Sequence, residues 1–290
     1  MNVDEKRDLR RLVNWLGRTD QWQKLTSDTP DVWRVDPGSA LAGDDAKTHP
    51  YEVSHAAWHA LTVAVDHLAC LKSSLLGDLK GDRVPVRIHT HVQSSLIRGT
   101  IENAARAVWL AGPNDRLTRV SRRLALQAKE TKDSFRMRAL VKQPASQSME
   151  ARLLRLTGML TAAGIPGEQT KTALKAPGYS DIVRGAGALT TLGADLAQVV
   201  WSGCSALAHG DSYGTLSMLD KEIVAKNKDV ALVRVTGSIS GLFWCTVAAT
   251  IMVEHGFQLY KVRSSCPLAQ VRWDALQAAI NAWARAHRLS

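Results

Sequence analysis

The feature that most restricts the fold is the spacing of apolar residues, which recur every three or four positions nearly everywhere outside residues 213–235. That period lines up side chains on one face of an α-helix; a strand would alternate faces at every residue. Ala57, Leu61, Ala64, Leu68, Leu71 and Leu75 trace it through a segment from Tyr51 to Leu79. Leu117, Val120, Leu124, Ala128 and Phe135 trace it between Pro113 and Val141, and Trp273, Leu276, Ile280 and Trp283 trace it within residues 267–287. Further helices are read at 1–17, 91–112, 146–163, 181–185, 191–210 and 238–262. Tyr213–Leu219 and Val230–Val235 instead have strand-like patterns on either side of a charged turn, which predicts one β-hairpin.

The expected fold is therefore all-α, a helical bundle of seven to nine helices with one small β-hairpin. Along the chain this gives an N-terminal helix and irregular arm (1–50), a helical core (51–262) with the hairpin at 213–235, and a C-terminal helix packed on the core (263–290). The arm is read from Pro30, Pro37, Pro50 and the Asp, Thr and Ser residues around them. There is no phosphate-binding glycine loop, no G-x-S-x-G elbow and no strand–helix alternation, so nucleotide-binding and hydrolase folds lose support.

An apolar content of 45% is ample for a core. Val235 to Val253 carries no charge over 19 residues, but it holds two glycines and five Ser or Thr residues, so a buried core helix is expected there and no membrane contact. Cys70, Cys204, Cys245 and Cys266 are widely separated and contain no C-x-x-C pair. A reducing cytoplasm fits them best. With charges from Asp4 onward, no signal peptide is expected.

Charge is distributed unevenly. The chain has a formal net charge of +10, and residues 83–142 hold thirteen Lys or Arg against Glu102, Asp115, Glu130 and Asp133. Arg116, Arg119, Arg122 and Arg123 lead this run on what reads as the outer face of the 113–141 helix. Two readings stand: a face for a polyanion such as RNA, or a solvated surface.

The richest stretch is Trp201-Ser-Gly-Cys-Ser-Ala-Leu-Ala-His209-Gly210-Asp211. Leu196, Val199, Val200, Ala206 and Leu207 are read as the buried side of its helix. Trp201, Ser205 and His209 lie four apart and share a face, and Gly210 is the residue type that ends a helix in a left-handed cap. On the preceding helix Arg98 and Glu102 are also four apart, amid Ile97, Ile101, Ala104, Ala105, Val108 and Trp109. A charged pair on a mostly apolar helix needs polar partners, so Arg98 or Glu102 is expected within hydrogen-bond reach of His209. His55 and His59, with Asp66 seven residues on, have a spacing that can bind zinc. The residue after His55 is Ala56, where the metalloprotease pattern needs glutamate, and partly exposed or hydrogen-bonded helix residues are the stronger reading. No metal or other cofactor is expected.

Four stretches together resemble a known group. They are Ala64-Val-Asp66-His67-Leu68, the run from Leu96 to Leu110 that includes Arg98, Glu102 and Trp109, the Arg119 to Leu124 run, and Ser205-Ala-Leu-Ala-His209-Gly210. Their order and spacing resemble helical proteins of actinobacteria and their phages, similar in layout to HEPN-type domains, over Tyr51 to Val262. The resemblance implies a HEPN-like core, frequent homodimers, and association with RNA cleavage, toxin–antitoxin systems or phage defence. Such ribonucleases place an arginine upstream of the histidine on one helix. Here the corresponding positions are Gly203, Cys204 and Ser205, so Arg98 would have to supply the cation from the neighbouring helix.

The expected function is RNA binding or metal-independent RNA cleavage. The site would comprise His209, Arg98, Glu102 and Ser205, with Arg116, Arg119, Arg122 and Arg123 along the nucleic acid. The alternative is a non-catalytic regulatory module that contacts an antitoxin or a host protein.

Overall fold

Helices account for most of the described residues, and those beginning at Val3, Ala40, Arg116 and Met149 each start at a side-chain cap. The computed structural model describes residues 2–27, 33–77, 85–228 and 230–266. Their elements are α1 (Val3–Gly17), α2 (Thr19–Ser27), α3 (Ala40–Thr48), α4 (Val53–Leu75), α5 (Val92–Ala111), α6 (Arg116–Leu140), α7 (Met149–Ala163), α8 (Gly167–Ala173), α9 (Tyr179–Gly187), α10 (Ala194–His209), α11 (Ser212–Met218), β1 (Asp220–Asn227), β2 (Val230–Thr236) and α12 (Ile239–Ser264). The class is all-α with one two-stranded antiparallel sheet. Among the described residues no helix is long and apolar enough to cross a membrane. The Trp273–Trp283 stripe lies outside the described residues.

The helices outnumber the expected seven to nine because short ones occupy segments read as irregular. α2 and α3 stand within the supposed arm, and α8 between the helices expected at 146–163 and 181–185. Ser39 caps α3 by accepting from the Ala42 N–H at 3.2 Å, and α3 buries Leu41 in the next turn. Tyr213–Leu219, read as a strand, is mostly helix α11. The first strand falls on the charged residues read as the turn. β1 is exposed along its whole length, so no buried face imposes the alternation by which a strand is recognised.

The described residues form two compact units. One contains α1, α2, most of α4, α5, α9, α10, α11, the hairpin and most of α12. Its core includes Leu12 and Leu16 of α1, Leu61 and Leu68 of α4, Ile97, Ile101 and Val108 of α5, and Phe243 and Met252 of α12.

The other unit contains α3, α6, α7, α8, the first turn of α4 and the end of α12. Val120, Leu124 and Ala128 of α6 pack there against Leu156 and Leu160 of α7. Asp115 caps α6 by accepting from the Thr118 N–H at 2.7 Å, and Ser148 caps α7 through the Ala151 N–H at 3.1 Å.

This second unit corrects the picture of α6 as a helix with an open cationic face. Arg119 is 2% exposed and Asp44 of α3 is fully buried. The Asp44 carboxylate accepts from Arg119 Nε at 2.6 Å and from Nη2 at 2.9 Å, a two-point grip. Arg119 Nη1 donates to the Asn114 carbonyl at 2.9 Å. Arg116 Nε reaches the same Asp44 at 3.2 Å. Arg123 is buried as well, and its Nη2 donates to Gln127 Oε1 at 2.7 Å. Arg122 is half-buried, and burial pushes its guanidinium below the usual arginine range. Lys129, Lys132 and Arg136 do stand in solvent. The cations nearest the start of α6 hold α3 in place.

A buried ion pair that loses one member leaves an uncompensated charge, at a cost of about 3–5 kcal/mol. Asp44→Ala should therefore lower stability to urea by about that amount. Lys129→Ala, whose exposed bond to Asp133 spans one helical turn, should change stability by less than about 0.5 kcal/mol. Equal effects in the two denaturation curves would refute the division between buried and solvated cations.

Candidate functional site at the end of helix α10

α10 packs on α5 and α9, and α11 packs on α10. The buried side of α10 matches the expected one only in part. Leu207 is buried as expected, together with Ala197 and Cys204, whereas Leu196 and Val199 are exposed. Cys204 is buried beside Cys245 of α12, and that neighbour together with burial pushes its thiol well above the usual thiol range. With this side fixed, Trp201 and His209 point toward α5, where they meet the Arg98–Glu102 pair.

The helix end is built by the backbone. Gly210 adopts φ +74°, a left-handed conformation that a side chain would strain. The Asp211 N–H closes on the Ala206 carbonyl at 2.9 Å, the long bond of a Schellman ending. His209 is the last helical residue, and its side chain stands at the C-terminal rim of α10.

Two side chains of α10 converge on the Arg98–Glu102 pair. Glu102 Oε1 accepts from Arg98 Nε at 2.8 Å and from Trp201 Nε1 at 2.9 Å. Arg98 Nη1 lies 2.9 Å from His209 Nε2. The Glu102 side chain is 14% exposed and that of Arg98 27%, while His209 is exposed. Arginine offers only donors, so the ring nitrogen that faces it must accept, and the proton of His209 sits on Nδ1. Arg98 is thus oriented by a carboxylate on one side and caps the single lone pair of an imidazole on the other. In this arrangement His209 cannot act as a base until Arg98 turns away.

Sequence reasoning located Arg98, Glu102, Trp201 and His209, and the structure brings these four together. Ser205, the fourth expected site residue, is half-exposed, and its hydroxyl makes no hydrogen bond among the described residues, so it stands outside the network. His55 and His59 are both exposed on α4. His55 lies 3.6 Å from Glu52, which also pairs with His49 at 2.7 Å. Among the described residues no group of three or more His, Cys, Asp or Glu side chains is placed to hold a metal ion.

One residue went unnoticed. His91, at the N-terminal boundary of α5, donates from Nδ1 to the Leu207 carbonyl at 3.0 Å. The same carbonyl accepts the Gly210 N–H at 3.1 Å. The bond leaves the Nε2 lone pair of His91 available, and it brings a second imidazole to the turn that carries His209. His91 is the cap residue before the first turn of α5, outside the helical period that placed Arg98 and Glu102 on one face.

The indole bond matters most where a charged acceptor is half-buried. Trp201→Phe keeps the ring and removes one donor from Glu102, which should cost about 1–3 kcal/mol. Thermal or urea melts of this variant check the assignment; unchanged stability would mean that the indole N–H is exchanged for water at no cost. No protein-family model, curated protein or solved structure matches the chain.

Proposed function

We propose that the end of α10 binds a phosphodiester of single-stranded RNA and cleaves it with its two imidazoles. The observation that carries this reading is the contact of a partly exposed guanidinium with a neutral imidazole at 2.9 Å. A phosphate oxygen is a stronger acceptor for arginine than a neutral ring nitrogen, because the bond is charge-assisted. An arriving phosphate draws Arg98 Nη1 off His209, while Glu102 still holds Nε. Binding therefore uncovers the base. His209 Nε2 takes the proton of the 2′-hydroxyl, the 2′-oxygen bonds to phosphorus, and the bond from phosphorus to the 5′-oxygen breaks. The leaving oxygen takes a proton from His91, protonated at Nε2, and Arg98 balances the charge that develops on the phosphate. On this reading the helical core is HEPN-like, with the cation supplied by α5 instead of α10, and the setting is a toxin or phage-defence system.

A second reading rests on the same contact. With Nε2 of His209 already engaged, the site is equally built to hold an anion without chemistry, as a regulatory module would.

End-labelled RNA incubated in EDTA over a range of salt separates the two. Arg98→Ala should weaken binding by about tenfold and lower the salt slope by about one. His209→Ala should leave affinity nearly unchanged and reduce cleavage by about 10²–10⁴-fold, with His91→Ala reducing it as well. Absence of binding at low salt ends both RNA readings. Binding without cleavage leaves the regulatory module. Cleavage that survives His209→Ala removes that residue from the chemistry.

A further inference from the structure

We infer that the edge of strand β2 pairs with the same edge of a second copy of this chain. The hairpin buries neither of its faces fully; Val233 and Val235 of β2 are half-buried and the rest of both strands is exposed. Ile223 is 66% exposed, Val230 72% and Leu232 63%, and among the described residues no third strand pairs with β1 or β2. A two-stranded ribbon with this composition is marginal in water, and further strands are what make such a ribbon stable.

The two edges of the ribbon differ. β1 carries Asp220, Lys221, Glu222 and Lys226, and its register slips by one residue between Ile223 and Ala225. Edge charges and a bulge are the features by which strands resist pairing. β2 has neither. It is a regular run of Val-Ala-Leu-Val-Arg-Val-Thr, and its one charge, Arg234, is engaged by Glu222 at 3.2 Å within the hairpin. Every second residue of β2 therefore turns an N–H and a C=O outward along an edge with no opposing charge.

Two properties identify the occupant as a second copy. The first is charge. The chain as a whole is strongly cationic and repels itself, but the hairpin sequence has four cations against three carboxylates and is nearly neutral. Two copies can meet at this place without that repulsion. The second is self-complementarity. Antiparallel pairing about a twofold axis at Val233 sets Val233 opposite itself, Leu232 opposite Arg234, Ala231 opposite Val235 and Val230 opposite Thr236, so no like charges face each other. The product is a four-stranded sheet in the order β1-β2-β2-β1. Both of its outer edges are the charged, bulged β1, so assembly stops at two. The inference is independent of any activity at the end of α10.

The test is the mass of the full chain in solution, by light scattering on a sizing column over a dilution series. The wild-type chain should run as a dimer that dissociates on dilution. Val233→Lys and Val233→Glu each place like charges at the twofold axis, and each should run as a monomer with an unchanged circular dichroism spectrum. Mixed in equal amounts, the two variants should recover the dimer mass, because lysine then faces glutamate. A wild-type monomer at every concentration overturns the proposal and leaves the edge to a strand of another protein. A dimer that survives both substitutions places the interface elsewhere, and a ladder of larger species refutes closure by β1. Should one variant fail to fold, the other alone against the wild type decides, and Leu232→Lys, beside the axis, provides a third.

Discussion

The geometry of the α10 terminus depends on one carboxylate oxygen. Glu102 Oε1 takes the guanidinium of its own helix and the indole of the neighbouring one. The first bond sets the direction in which Arg98 extends. The second fixes the rotation of α10 about its axis, because Trp201 can reach α5 in one orientation only. The Cα of His209, two turns further along α10, is thereby placed on the same side of the helix. A glutamine at this position could accept the same bonds but would leave Arg98 uncompensated in a site that is mostly closed to water. The charge of Glu102 therefore matters as much as its shape.

Arg98 and Arg119 show how one residue type serves opposite ends. Arg119 is saturated: a fully buried carboxylate grips it at two points and a backbone carbonyl takes a third donor. It has nothing to gain from a ligand. Arg98 is held at one nitrogen and rests another against a neutral ring, a partner that any phosphate outcompetes. A count of cations along α6 treats the two as equal, whereas burial and partner chemistry separate them. Concentration of positive charge in a sequence is thus a poor guide to a polyanion site when acidic residues elsewhere in the chain can fold onto it.

The helical class was legible because apolar spacing reports directly on burial, and the pairing of α5 with the end of α10 was legible because Arg98, Glu102, Trp201 and His209 each sit four residues or a multiple of four from a partner on the same helix. What escaped notice has physical causes. Asp44 lies in a stretch of Gly, Asp and Ser that looks like loop, yet it forms a nine-residue helix capped by Ser39. Its role as the acceptor for Arg119 is a contact over 75 positions in sequence, which no local pattern encodes. β1 was invisible because neither of its faces is buried, and the side of α10 was misassigned in part because Leu196 and Val199 are apolar residues left in solvent. His91 stood outside the expected site because it precedes the first turn of its helix, where an apolar period gives no guidance.

The bond from His91 to the Leu207 carbonyl has a consequence for motion. The last turn of a helix ordinarily frays, since its carbonyls have no intrahelical donors. Here the terminal turn of α10 is tied on two sides, by the Asp211 N–H returning to Ala206 and by an imidazole from another helix reaching Leu207. His209 is consequently exposed and yet anchored at its backbone, so its side chain can rotate while its Cα stays in place. Slow amide exchange at Gly210 and Asp211, at a surface where exchange is usually fast, is the signature of that clamp.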